Sequence, residues 1–179
     1  MQYRVVRSDR KTISLEITRD GEVLVRAPRR LSNAQIESFV KGKAAWIEKH
    51  LAVFAARPKE PPFTNDEIVR FAERAKEILP PRVAYYAQKI GVTYECITIR
   101  NQRTRWGSCS NRGNLNFNCL LVLVPPAVMD YVIVHELCHL KELNHSKRFW
   151  DEVVGAMPDY KQHERWLKAN GGALIRRLA

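Results

Sequence analysis

Histidine is scarce in this chain, five in 179 residues, and so are glycine, eight, and cysteine, four. Cys96, Cys109, Cys119 and Cys138 form no CxxC pair and no regular spacing, so neither a disulfide framework nor a cysteine-ligated zinc ribbon is suggested. They read as reduced thiols. Long apolar runs are also lacking. The longest, Cys119 through Met129, is interrupted by Pro125 and Pro126 and falls well short of the ~20 residues that cross a bilayer. No membrane span is expected. The opening MQYRVVRSDRKT lacks the apolar stretch and small-residue cleavage site of a secretory signal, which reads as a cytoplasmic protein. There is no internal repeat and no low-complexity tract.

What is present is enough apolar material, 45% of residues, to bury a core, in a length that suits one domain spanning 1–179. The proline-rich RPKEPPF at 57–63 is the best linker, dividing the chain into sublobes 1–60 and 61–179. Thirty Lys and Arg against nineteen Asp and Glu give a formal charge of +11, which favours acidic partners such as a nucleotide, nucleic acid or an anionic surface. Charge constrains partners and leaves the chemistry open.

Periodicity predicts an α+β protein. Ile13, Leu15, Ile17 and Val23, Val25 alternate on either side of Asp20-Gly21, the pattern of an antiparallel hairpin. Ile36, Phe39, Val40, Ala44, Ile47, Leu51 and Phe54 recur at helical spacing, with a break near Gly42. A second helix is expected from the cap at Thr64 to Leu79, interrupted by Pro80 and Pro81 and resumed from Val83 to Ile90. Residues 94–124 change to strand patterning around a turn at Asn111-Arg112-Gly113, a second small antiparallel sheet. Pro125-Pro126 then open a helix to about Leu143, with shorter helices at 147–156 and 159–170 closed by Gly171-Gly172.

The decisive stretch is His135-Glu136-Leu137-Cys138-His139, an HExxH pattern inside the apolar helix. Residues i and i+4 lie one above the other on a helix face, so two imidazoles can converge on one ion while Glu136 stands close enough to act on water there. A catalytic zinc site normally takes three protein ligands and one open position. His145 is the choice for the third, because a left-handed turn at Asn144 can end the helix and fold the chain back. Glu142, Glu152, Glu164 and His163 are rivals. The set predicts a zinc-dependent hydrolase with Glu136 as general base, although histidine ligation does not select zinc uniquely. Cleavage of a peptide or protein substrate is the first reading. Hydrolysis of a nucleotide or another phosphoanhydride is the second, supported by the charge and by Arg103, Arg105 and Arg148 near the motifs. A nucleic-acid-associated module with a structural zinc is the third.

Arg105-Trp106-Gly107-Ser108-Cys109-Ser110, Asn114-Leu115-Asn116-Phe117-Asn118, the HELCH stretch and Asn144-His145-Ser146-Lys147-Arg148-Phe149-Trp150 together resemble the YgjP-like metallopeptidases, relatives of SprT-type and WLM zinc proteases. The resemblance implies a gluzincin-like minimal fold with zinc on His135, His139 and His145 and Glu136 as base. It also implies that the strand around Asn116 to Asn118 forms the rim of the cleft, where an extended peptide could pair with an edge. The histidine spacing equals that of metzincins, but Glu142 stands where those enzymes have glycine, which sets a strict metzincin assignment aside. Met157 before Pro158 then reads as helix-end packing. Trp106, Cys138, Phe149, Trp150 and Trp166 read as packing residues, and Gly107 as a glycine that answers a backbone need. Arg105, Asn116, Asn118 and Tyr160 are the candidate substrate-binding residues, Tyr160 or His163 as an oxyanion partner.

Overall fold

Each of the two small sheets is built round a central strand whose buried residues face helices. The computed structural model describes residues 2–18, 21–56 and 60–178 and divides the chain into two compact units, Met1–Glu60 and Pro61–Ala179. Asp20 of the expected hairpin turn and Arg57 to Lys59 of the expected linker lie outside the described residues.

In the first unit, β2 (Ser14–Ile17) pairs antiparallel with β3 (Val23–Pro28), Leu15 opposite Val25. β1 (Arg4–Ser8) lies on the other side of β3 and runs parallel to it, a pairing the hairpin reading did not contain. Alternation reports which face is buried and says nothing of strand direction. The helical stretch divides at Gly42 into α1 (Asn33–Lys41) and α2 (Ala44–Ala55). Ser32 and Gln35 form a capping box at the start of α1. Val23, Val25, Ala27, Ile36, Val40 and Ile47 form the core of this unit.

The second unit opens with α3 (Asn65–Ile90), capped by Thr64 and Glu67 and closed by Gly91 at φ +75°. Pro80 and Pro81 lie inside this helix and do not interrupt it. An interior proline costs about 3 kcal/mol. The buried stripe Ala75, Leu79, Val83, Ala87 and Ile90 runs straight through the prolines, and its burial offsets that cost.

The second sheet contains β4 (Cys96–Arg100), β5 (Gly107–Cys109) and β6 (Asn114–Asn118) in the order β4-β6-β5. It is mixed where an antiparallel sheet was expected, since β6 runs parallel to β4 and antiparallel to β5. Fully buried Leu115 and Phe117 of β6 belong to the same core as α4 (Pro126–Cys138). The strand pattern that continues to Val124 stops at Asn118, where a 3-10 helix, Cys119–Leu123, begins. Asn118 sets that stop: its side-chain oxygen accepts from Leu120 N at 3.1 Å. Its amide donates to the carbonyls of Gln102 at 2.6 Å and Arg105 at 3.0 Å.

Nearly every residue of α4 from Val128 to Cys138 is buried, the mark of a helix inside a core. It ends at Cys138, five residues before the expected Leu143. α5 (Lys147–Ala156), α6 (Tyr160–Trp166), a π-helical turn at Leu167–Gly171 and α7 (Gly172–Arg176) complete the unit. The helix therefore continues past Gly171-Gly172. Gly171 instead answers a close approach, since a Cβ there would lie 2.9 Å from the Trp106 indole nitrogen. Among the described residues no helix is long and apolar enough to cross a membrane.

Asn118→Ala removes hydrogen bonds to three backbone groups in the interior. Unfolding in urea is expected to show a loss of about 2–3 kcal/mol with an unchanged slope.

Candidate metal centre

Helix α4 presents His135 and Glu136 together, with His139 at its C-terminal cap. From Leu140 the chain turns tightly, with Leu140 N on Leu137 O and both Lys141 N and Glu142 N on Cys138 O. Among the described residues no non-glycine residue has positive φ, so the return to His145 does not use the left-handed turn expected at Asn144. Ser146 N bonds to Asn144 O at 2.8 Å instead, and the Ser146 hydroxyl then caps α5.

These turns bring His135, His139 and His145 together, with one donor atom from each lying within 4.8 Å of the others. His135 Nε2 and His145 Nε2 stand 3.0 Å apart, close to the edge of about 3.3 Å that a tetrahedral zinc site with its usual Zn–N distance would have. His139 Nδ1 faces the Glu142 carbonyl at 3.1 Å, leaving Nε2 toward the cluster. His135 Nδ1 is buried without a hydrogen-bond partner, so Nε2 is the engaged nitrogen of that ring. Burial, helped by the other two histidines, pushes His135 down to about 3, and burial likewise lowers His139. Neutral imidazoles whose ring nitrogens converge suit a cation, which offers the facing lone pairs a shared partner. Phe149 supports the cluster, its ring centroid 4.5 to 4.9 Å from those of all three histidines.

Glu136 is 7% exposed, and burial pushes its carboxyl up to about 8, with Arg105 pulling the other way. Its side chain packs on the backbone of β5: a Cβ on Gly107 would lie 2.7 Å from both Cγ and Oε1. A backbone need is what the sequence predicts for this glycine; the Glu136 contact is not legible there, because a motif does not name what lies across from it. A cavity of about 220 Å³ adjoins Glu136 and His135, walled by Trp106, Tyr131, Val132 and Leu167, with Arg105 also lining it.

Three of the four rival ligands are engaged elsewhere. Glu152 pairs with Lys141, Glu164 with Lys168, and His163 with Asp159. Glu142 contributes its carbonyl to His139. Of the expected substrate-binding residues, Arg105 is exposed and lines the cavity. Asn116 accepts from Arg100 at 3.0 Å on the sheet face opposite to Leu115 and Phe117. Asn118 is fully buried and its amide is spent on the backbone, so it does not reach a cleft. Nor is β6 a rim, because it is the central strand; the edge beside Glu136 is β5. Tyr160 stacks on Trp150 at 5.3 Å and on Tyr131 at 6.2 Å, and those two rings in turn lie 6.0 and 5.9 Å from His135.

In protein stripped of metal, the site groups give stability a defined pH dependence. Glu136, raised from 4.5 to about 8, contributes stability that is present below its unfolded value and lost as pH rises through 8. His135 acts oppositely, but only below its unfolded value of 6.5. Between pH 6.5 and 8 the Glu136 effect stands alone among them, and stability is expected to fall by about 2 kcal/mol. Thermal unfolding of chelator-treated protein checks this, and Glu136→Gln should flatten the slope.

The model of the YgjP-like metallopeptidase domain matches residues 11–74 and 66–170. Two solved metallopeptidase zymogens are similar at 22% identity, abylysin of Pyrococcus abyssi and jannalysin of Methanocaldococcus jannaschii. Abylysin matches over 52% of this chain and 96% of its own, with a TM-score of 0.48. Jannalysin matches over 52% and 94%, with a TM-score of 0.44. No curated protein matches. The family match spans nearly the whole chain and includes the HExxH helix and His145, so the chain belongs to the YgjP-like metallopeptidases, enzymes that hydrolyse peptide bonds with a divalent metal.

Proposed function

We propose that this metallopeptidase holds zinc on His135, His139 and His145, uses Glu136 as its general base, and works in the cytoplasm, with 61–179 as its catalytic part. The observation that carries the assignment is the convergence of three imidazoles beside a buried carboxyl in one unit of the chain. Zinc, when bound, supplies Lewis acidity to a scissile carbonyl and raises the acidity of water.

The chain's own groups do the rest. Glu136 takes a proton from the attacking water and returns it to the leaving amine. Gly107 keeps the carboxyl in place by having no side chain. The free edge of β5 aligns an extended substrate. In an antiparallel ladder the bonded residues alternate, and Trp106 and Ser110 both bond inward to β6. That alternation leaves the N–H and C=O groups of Gly107 and Cys109 facing outward, available to a peptide backbone. Arg105 offers a guanidinium to a substrate carboxylate near the same edge. The four cysteines are free thiols, which suits a reducing compartment.

Elemental analysis is expected to find about one zinc per chain, reduced by His145→Ala and retained by Glu136→Gln. Peptide hydrolysis should be lost in both. Zinc and activity undiminished in His145→Ala would remove this residue from the ligand set. Gly107→Ala should keep its zinc and lose about 10²-fold in kcat, the scale that a displacement of about 1 Å at a reacting group produces. Single-turnover cleavage with metal content measured on the same sample checks it.

A further inference from the structure

We infer that the 220 Å³ cavity against Glu136 is the pocket that selects the substrate, receiving an apolar side chain of up to phenylalanine size from the residue next to the scissile bond. This rests on the reading of Glu136 as the base. The cavity borders both Glu136 and His135, so a bond positioned for attack there has its neighbouring side chain at the cavity mouth. Its walls are Trp106, Tyr131, Val132 and Leu167. Tyr131 and Val132 project from the same helix as Glu136, one turn earlier, which ties the pocket to the reacting groups without an intervening loop.

Size narrows the occupant. An apolar cavity of about 150 Å³ accommodates a benzene ring, so this one accommodates a phenyl ring with its methylene, or a leucine or methionine side chain. It is below the ~300 Å³ at which pockets for whole small molecules begin. The walls are also stiff. Tyr131 is buried and stacked on Tyr160, and the Trp106 indole is pressed on Gly171. Leu167, at the junction of α6 and the π-helical turn Leu167–Gly171, closes the lining from the C-terminal helices. Arg105, the cation in the lining, is exposed, and Glu136 and His135 are the reacting groups, which leaves Trp106, Tyr131, Val132 and Leu167 to decide which side chain enters.

The test is a peptide set varied at both residues flanking the cleaved bond, assayed with zinc-loaded wild type, Leu167→Ala and Leu167→Trp. At one flanking position wild type should prefer Leu, Met or Phe over Ala, Gly or Asp by at least tenfold in kcat/KM. Leu167→Ala should move the preference toward Trp. Leu167→Trp should move it toward Ala while Ala peptides are still cleaved. A flat profile at both positions, or a preference that neither variant shifts, overturns the inference while leaving the peptidase reading intact. If wild type cleaves no peptide, that reading fails, and the pocket is judged by NMR alone. The Leu167 and Val132 methyl resonances should move with N-acetylphenylalaninamide, stay still with N-acetylalaninamide, and stay still with either in Leu167→Trp. Methyl resonances unmoved by the phenylalanine amide overturn it.

Discussion

Helix α4 and strand β5 meet at Gly107 and Glu136, and the rest of the site follows from how closely they meet. A carboxyl carried on a buried helix needs a neighbour that excludes water without crowding it. Bare backbone at Gly107 does this, where even one methyl group would lie 2.7 Å from the carboxyl. Burial then raises Glu136 toward neutral pH, and the Arg105 charge opposes without cancelling that effect. The same approach sets Gly107 of β5 and His135 round one cavity. Water exclusion and the raised carboxyl therefore come from one helix-to-strand approach, not from two separate devices.

The histidine cluster depends on a different constraint, the rate at which the chain turns after α4. His135 and His139 are aligned by helical spacing alone. His145 reaches them because the helix stops at Cys138 and successive tight turns reverse the chain, with Asn144 and Ser146 completing the reversal. Phe149, on the first turn of α5, then packs on all three rings. A residue that reads as ordinary core in the sequence thus acts as the floor on which the imidazoles rest. Its aromatic face restrains the rings at no polar cost, which suits a cluster in which His135 Nδ1 has no hydrogen bond to hold it.

What the sequence makes legible is whatever is local. The HExxH spacing, the caps at Ser32 and Thr64, and the break at Gly42 all depend on residues a few positions apart. Contacts across elements are not written that way. Period-two alternation in β2 and β6 reports buried faces, but parallel pairing and strand order depend on which elements share a core. Pro80 and Pro81 are local breakers overridden by a tertiary stripe. The family resemblance implies a rim at Asn116 to Asn118, the last strand before the helix. Its central place in the sheet transfers the edge to β5, whose three residues carry almost no strand signal.

Asn118 shows how a residue can matter to the site without touching it. Its backbone N–H bonds to Trp106 O at 2.8 Å, and its side-chain amide holds the carbonyls of Gln102 and Arg105. One buried asparagine therefore fixes both the start of β5 and the loop that delivers Arg105. A fully desolvated amide is costly unless each of its groups is bonded, and here they are, so the loop's path is dictated by hydrogen-bond satisfaction. The loop between β4 and β5 has little apolar anchorage before Trp106. Its order, and with it the position of the Arg105 guanidinium at the cavity that Glu136 borders, rests on a polar residue that comes after β5 in the chain.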